Sequence, residues 1–510
     1  MIRHLTLQDV GPARTLKFDF APRLNVLTGD NGLGKTFVLD VLWWVLTTTW
    51  VAEPAFPWRP PTDILDLGNL DGDGDGHGGG YGGGAAAGAG FGDGRGYGGG
   101  AAARQESDVS HADGSVNPSI IAELASPIAA EEAPRSVEGS WQWDTQEWLL
   151  ESAPEVSRGL VVYARIDGSY AIWDAYYARA GAQTSADAAI VLANHEVWDG
   201  KEVADADAQG GKRTVIRGLI ADWANWQQRR RSPEFEALRR VLHALSSPDE
   251  PLLLGEPTRV HLHDRRDIPT LVTSYGTVPV THASAGVRRI LALAYLLVWS
   301  FAEHVKAAKQ RRQKPTRDVV VLIDEPEMHL HPAWQRVLLP SLFRAIGMTA
   351  PNAAVQLFTA THSPIVLSSL ESVFREELDD LFVLSRDGSL VQANEESFSK
   401  EGDVSNWLSS KAFGYVGSRS REATLAIDAA MDFMANRKAD AEHNLRKLGD
   451  IMQELPAQDP KWLVSLTDKH ESLKQRIHEA LKFVLPSHDE FWVQWVGTYE
   501  QSARGPRRRR

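Results

Sequence analysis

The sequence predicts an α/β fold built around a phosphate-binding loop, and three observations carry that prediction. An apolar strand at residues 24–28 runs into Gly29-Asp30-Asn31-Gly32-Leu33-Gly34-Lys35-Thr36, and a helical pattern begins at Lys35. A wholly apolar strand at 319–323 ends in two carboxylates, Asp324 and Glu325. Another buried strand, at 354–361, runs into His362. Strand ends are where α/β folds gather their functional groups.

The elements follow in order. Alternation places strands at 2–7 and 15–20, ahead of the strand at 24–28 and the helix from Lys35. Composition then collapses: of 42 glycines, 18 fall between Gly68 and Gly100. A Gly, Ala, Asp and Ser stretch cannot bury a core, so residues 62–139 are assigned to a disordered insertion. Folded sequence is expected to resume with strands at 141–149, 159–166 and 169–173, the last two joined by an Asp167-Gly168 turn. Helical spacing returns at 214–231 and 233–245, with strands at 259–263 and 270–275 and a long apolar helix at 285–308. A basic connector, 306–317, holds six Lys or Arg and no acid. Beyond Ser385 the pattern is mainly helical, with long candidates at 423–454 and 462–483. The domain expectation is therefore an N-terminal core segment at 1–61, the insertion at 62–139, the rest of the core at 140–385, a helical module at 395–500 and a basic tail at 501–510.

With 510 residues the chain exceeds one ordinary core. Its formal charge of −13 argues against a protein coated by nucleic acid. Cysteine is absent, which excludes disulfide scaffolds, Cys zinc sites, iron–sulfur clusters and thiol catalysis. The apolar run at 290–302 falls short of a bilayer span and there is no secretory h-region, so a cytoplasmic protein without a membrane partner is expected.

The chemistry resides in three short motifs. GDNGLGKT fits GxxxxGK(S/T): Gly29, Gly32 and Gly34 let the backbone curl, with Asn31 in the same loop, and aim N–H groups at phosphate oxygens. Lys35 would neutralise the β- and γ-phosphates of ATP, and Thr36 would ligate Mg2+. At the second strand end Asp324 is the partner carboxylate for Mg2+, and Glu325 stands where a general base polarises water. At the third, His362 is placed to sense the γ-phosphate. His261 and His263, with Arg259 and Asp264 nearby, are read as strand residues rather than zinc ligands.

GDNGLGKT, IDEPEMHLHP and THSP together resemble the ABC-type ATPases of the SMC, RecF and OLD group, in their compact form without long arms. The fold the resemblance implies is a P-loop NTPase of ABC-ATPase type, a mixed sheet with flanking helices and a helical signature lobe. It matches 282–289, HASAGVRR, to the signature segment that closes on a partner subunit's nucleotide; Ser284 and the Gly286 backbone would contact the γ-phosphate there. The motif departs from LSGGQ and keeps only Ser-x-Gly, where the plain alternative is a Ser N-cap. Such ATPases also carry a Q-loop glutamine, for which Gln142 and Gln146 are both candidates, and an adenine contact, for which Arg14 is a candidate.

The resemblance also implies a homodimer or higher oligomer that closes around ATP and hydrolyses it. Neither SMC-type arms nor the Glu and DxD of a TOPRIM nuclease domain are found, which leaves an ATPase working through a partner. Compact ATPases of this kind occur in Septu and retron-type anti-phage systems, paired with a separate HNH nuclease; nucleic acid would then be reached indirectly. Residues 395–500 would be the docking module, with 488–495 either a contact or a core helix, helical spacing favouring the core. The competing functions are a RecF-like clamp on DNA and a scaffold that binds ATP without turning it over.

Overall fold

The computed structural model describes residues 1–58, 118–125, 134–152, 159–178, 189–204, 211–247, 250–388, 390–413, 419–454 and 472–503. It divides into two compact units, Met1–Lys400 and Glu401–Arg510.

The first unit is organised by two sheets. One is antiparallel, in the order β2-β1-β4-β5-β6. Its members are β1 (Ile2–Val10), β2 (Ala13–Asp19), β4 (Ser119–Leu124), β5 (Arg135–Gln142) and β6 (Glu147–Ser152). The other is mixed and eight-stranded, in the order β18-β17-β3-β16-β15-β7-β8-β9. It comprises β3 (Leu24–Gly29), β7 (Leu160–Ala164), β8 (Tyr170–Asp174), β9 (Ala189–Leu192), β15 (Asp318–Asp324), β16 (Ala354–Ala360), β17 (Asp379–Asp387) and β18 (Leu390–Glu396). The five central strands, β17, β3, β16, β15 and β7, are mutually parallel. Strands covered on both faces read as unbroken apolar runs, which is why β15 is DVVVLID and β7 LVVYA.

Helix α1 (Lys35–Thr47) leaves β3 and is buried along most of its length, including Trp43 and Trp44. It lies in the core shared by both sheets, with Leu5, Leu7, Phe18, Val161, Leu322 and Phe358. Two smaller sheets follow, β10-β11 (Lys201–Ala204 and Lys212–Ile216) and β12-β13-β14 (Leu253–Thr258, Ile268–Thr273 and Gly276–Pro279). With them come α2 (Leu219–Gln228), α3 (Pro233–Leu245), α4 (Ala285–Gln310) and α5 (Leu338–Thr349). Helix α4 is long and apolar enough to cross a membrane by composition, but most of its apolar window is buried within the protein.

The second unit packs α6 (Arg421–Met434), α7 (Lys438–Glu454), α8 (Leu473–Val484) and α9 (Glu490–Ala503) around Ala426, Ala430, Leu445, Leu448, Ile477, Leu481 and Trp495. Phe491 and Trp492, half-buried, pack against the same core as the buried Trp495, while His488, Glu490, Val493 and Gln494 are exposed.

Several boundaries differ from the sequence expectation. The insertion does not extend to 139: β4 pairs with β1 and with β5, so 119–124 and 135–139 belong to the folded sheet. Residues 62–117 and 126–133 of that stretch lie outside the described residues. The strand expected at 141–149 is the turn of the β5–β6 hairpin and its flanks. The front of the helix expected at 214–231 is β11, and Gly218, at φ 88°, separates it from α2. Residues 259–263 form a loop after β12 rather than a strand, so His261 and His263 do not alternate on a sheet face. Beyond Ser385, β17 continues and β18 pairs back on it as a hairpin. The helix expected at 423–454 is broken where Asn436 takes φ 61°, a left-handed geometry Asn tolerates better than most residues. Part of the 462–483 candidate is outside the described residues; α8 is the part described.

Candidate functional site

The register of the central sheet brings the three motifs to one edge. Ala360 pairs with Leu27 on one side and with Asp324 on the other, so β3, β16 and β15 end level with each other. The residues that follow these ends are the phosphate loop, Thr361-His362 and Glu325.

The loop after β3 has the backbone its glycines permit. Gly29, Gly32 and Gly34 have φ of 126°, 78° and 94°. At Gly29 a Cβ would stand 2.0 Å from the Leu384 carbonyl oxygen of β17, and at Gly34 one would stand 2.7 Å from Pro12 Cγ. Only glycine fits either position. Gly34 is the N-cap of α1, whose first turn carries no acidic side chain, so the positive end of the helix is left for an anion. Asn31 and Gly32 are exposed at the loop's tip. Lys35 is buried, and its Nζ donates to the carbonyls of Gly29 (2.9 Å) and Asp30 (2.8 Å), which holds the ammonium inside the curl. Burial lowers its pKa, while Glu325 and Asp324 pull it back up.

Thr36 Oγ1 donates to Asp324 Oδ2 at 2.8 Å, joining the loop to the end of β15. Asp324 is 1% exposed, and its Oδ1 is buried without a hydrogen-bond partner among the described residues. Burial above all raises its pKa to about 6. A threonine hydroxyl beside a carboxylate oxygen that lacks a donor is an oxygen set suited to Mg2+. The residues present therefore fit the cation the motif implies.

Glu325 adopts φ 47°, an unusual geometry for a non-glycine residue, fixed by its N–H donating to the Ala360 carbonyl at 3.0 Å. Its Oε1 lies 3.0 Å from His362 Nε2. A third carboxylate, Glu327, is 8% exposed. Its Oε1 accepts from the Thr361 hydroxyl at 2.6 Å and from the His362 N–H at 3.0 Å. Burial first, then the neighbouring Glu325, pushes its pKa up to about 7.

Residues 282–289, the stretch matched to a signature segment, meet this sheet edge within one chain through a further residue, Arg289. Ser284 caps α4, its Oγ accepting from Val287 N–H at 3.3 Å. Gly286 is buried against the loop after β15: a Cβ would be 2.5 Å from the His329 carbonyl oxygen. The link to the edge where the strands end is Arg289, whose Nη2 donates to the Asp324 carbonyl at 2.8 Å and the Glu325 carbonyl at 3.2 Å. Its guanidinium also reaches the carbonyls of Arg165 and Ile166 at the end of β7.

Lys35, Thr36, Asp324, Glu325 and His362 are thus brought together, while Ser284 and Gly286, among the described residues, form no hydrogen bond with them. Gln142 and Gln146 lie at the turn of the β5–β6 hairpin in the other sheet. Gln142 donates to Ser140 there. The strand beside β15 ends instead at the turn after β7. Arg14 stacks its guanidinium over Trp58 at 5.1 Å. Sequence reasoning missed Glu327 and Arg289. Glu327 stood one residue past the DEP motif, and Arg289 lay inside the signature segment, hidden by the attention given to Ser-x-Gly.

The family model described as "AAA domain, putative AbiEii toxin, Type IV TA system" matches residues 24–368. The chain is 30% identical over 104 residues to the Retron Vc95 probable ATPase of Vibrio cholerae serotype O1 biovar El Tor, covering 20% of this chain and 18% of that protein. It is 29% identical over 149 residues to the Retron Ec83 probable ATPase of Escherichia coli, covering 29% and 24%. A 42-residue stretch is 38% identical to the DNA repair protein RecN of Xylella fastidiosa, covering 8% of each. The chain thus spans about a quarter or less of the length of the curated relatives it matches. Among solved structures, the SMC head domain from Thermotoga maritima aligns over 78% of this chain and 99% of its own, at 13% identity and TM-score 0.33. The recombination mediator protein RecF aligns over 78% and 98%, at 9% identity and TM-score 0.31.

Proposed function

The chain belongs to the AAA-domain family of AbiEii type, and from that premise we propose that it binds ATP with Mg2+, hydrolyses it, and thereby controls a partner effector in anti-phage defence. Its fold is that of an ABC-type P-loop ATPase of the SMC/RecF group. The observation that carries the proposal is the convergence of Lys35, the Thr36–Asp324 hydrogen bond and the Glu325–His362 pair on one sheet edge.

Each side chain has a task there. The loop N–H groups and Lys35 hold the β- and γ-phosphates. Thr36 and Asp324 hold the cation, which when bound neutralises charge on the transferring phosphoryl group. Glu325 accepts the proton of the attacking water, and His362, in contact with it, orients that water against the γ-phosphate. Ser284, at the exposed start of α4, completes the site of a second copy in an ATP-dependent dimer.

The effector is a nuclease of HNH type, a reading supported by the likeness to two retron probable ATPases. The place of action is the cytoplasm. The rival reading, a DNA-repair clamp, draws support from the short stretch shared with RecN. Steady-state hydrolysis by wild type and E325Q tests the core of the proposal: turnover in wild type and its loss in E325Q, with ATP-dependent dimers accumulating in the variant, is the expected result. A wild type without turnover defeats it. Co-purification with an HNH protein encoded alongside supports the defence role, whereas steeply salt-dependent DNA binding by the chain alone supports the clamp.

A further inference from the structure

Glu327 is a buried carboxylate with no place in the mechanism above. It follows Pro326 in the turn after β15, yet its bonds run to the neighbouring strand. One oxygen accepts from both the Thr361 hydroxyl (2.6 Å) and the His362 main-chain N–H (3.0 Å). The Thr361 hydroxyl in turn accepts from Ser363 N–H at 3.0 Å, and Ser363 Oγ donates to Gln335 at 2.8 Å. A single carboxyl therefore ties the turn that presents Glu325 to the strand end that presents His362. Those two residues meet side chain to side chain at 3.0 Å.

We propose that Glu327 is a positioning residue for hydrolysis, clamping the ends of β15 and β16 so that Glu325 and His362 face the same water. This inference rests on the reading that the chain hydrolyses ATP. Two geometric facts support it. Glu325 has a left-handed backbone, which persists only where the surroundings over-determine it. Glu327 is 8% exposed, and one of its oxygens takes two donors from the neighbouring strand end, which offsets the cost of burying the carboxyl. Burial and Glu325 also favour the neutral form of Glu327, so a carboxamide reproduces its acceptor oxygen without a buried charge.

The full-length chain is tested as wild type, E327A, E327Q and T361V, with ATP affinity and turnover measured separately. E327A should bind ATP within a few-fold of wild type yet lose about 10²-fold in kcat, the scale of a roughly 1 Å misplacement of catalytic groups. E327Q should recover most of that loss, and T361V, isosteric but without the donor, should fall between them. Three results overturn the clamp: E327A turning over like wild type, E327Q as inactive as E327A, or kcat and ATP affinity falling together in E327A and T361V. A wild type that binds ATP without turnover instead defeats the hydrolysis reading, and this one with it, and it shows in the wild type alone.

Discussion

Arg289 Nη2 donates to the main-chain carbonyl of Asp324 at 2.8 Å. The arginine stands on the second turn of α4, just after Ser284, and its guanidinium also meets the carbonyl of Glu325 and two carbonyls at the end of β7. The helix that carries Ser284 is thus hydrogen-bonded directly to the strand end that carries both carboxylates.

Replacing Arg289 by alanine should leave those carbonyls without their donor and destabilise the chain by about 2 kcal/mol, the worth of a hydrogen bond to a charged group. Lysine should rescue little, because an ammonium cannot span the fan of acceptors that a planar guanidinium reaches. ATP binding should survive while hydrolysis falls. Denaturant unfolding with ATPase assays checks this, and wild-type turnover in R289A would refute the coupling.

Gly286 and Gly347 give opposite expectations for the same substitution. At Gly286 a new Cβ would stand 2.5 Å from the His329 carbonyl oxygen, so alanine should cost about 1–3 kcal/mol by forcing the loop after β15 outward. Gly347 lies within α5 with nothing within 4 Å of such a Cβ, and alanine there should stabilise by about 0.5–1 kcal/mol. Melting temperatures of the two variants that moved in the same direction would contradict this account.

These two glycines show where sequence legibility ends. The phosphate loop, Asp324, Glu325 and His362 were readable because each motif occupies consecutive residues at the end of an apolar strand. Glu327 and Arg289 act through contacts between segments distant in sequence, Arg289 reaching back to Arg165 and Ile166, and no local pattern marks such pairings. The same holds for β4. Six residues between low-complexity stretches look unstructured alone, and they become a strand because β1 offers a partner edge. The resemblance assigned Gly286 a role across a dimer; within one chain, its close approach to His329 already requires a glycine.

Acidification should stabilise the protein in part through Asp380 of β17, which lines a cavity with Asp19 of β2 and Glu395 of β18. Burial, then Glu395, raises its pKa from 3.8 to about 6. The folded state therefore holds this proton more tightly than the unfolded one, and stability falls as pH rises between those two values. D380N should remove that contribution, gaining on wild type at pH 7 and not at pH 4. Urea midpoints measured at both values decide it, and an equal offset at the two would show that Asp380 does not titrate in this window.

The Gly-rich stretch can be shortened only up to the edge of β4. Replacing residues 62–116 by a short Gly/Ser linker keeps every described strand and should leave ATP binding within a few-fold of wild type. Extending the replacement to 139 removes β4 and half of β5, and with them the Leu5–Ala122, Leu7–Ile120 and Ala122–Val137 pairings that cover the core around α1. Ile120, Ala122 and Val137 are each at most 1% exposed, so their loss strips buried apolar surface worth several kcal/mol at about 25 cal/mol per Å². The longer deletion should yield unfolded or aggregated protein, and nucleotide binding with it should be lost. Fluorescence titration and thermal unfolding of both variants decide where the fold resumes. A longer deletion that binds ATP normally would mean that the antiparallel sheet does not support the phosphate loop.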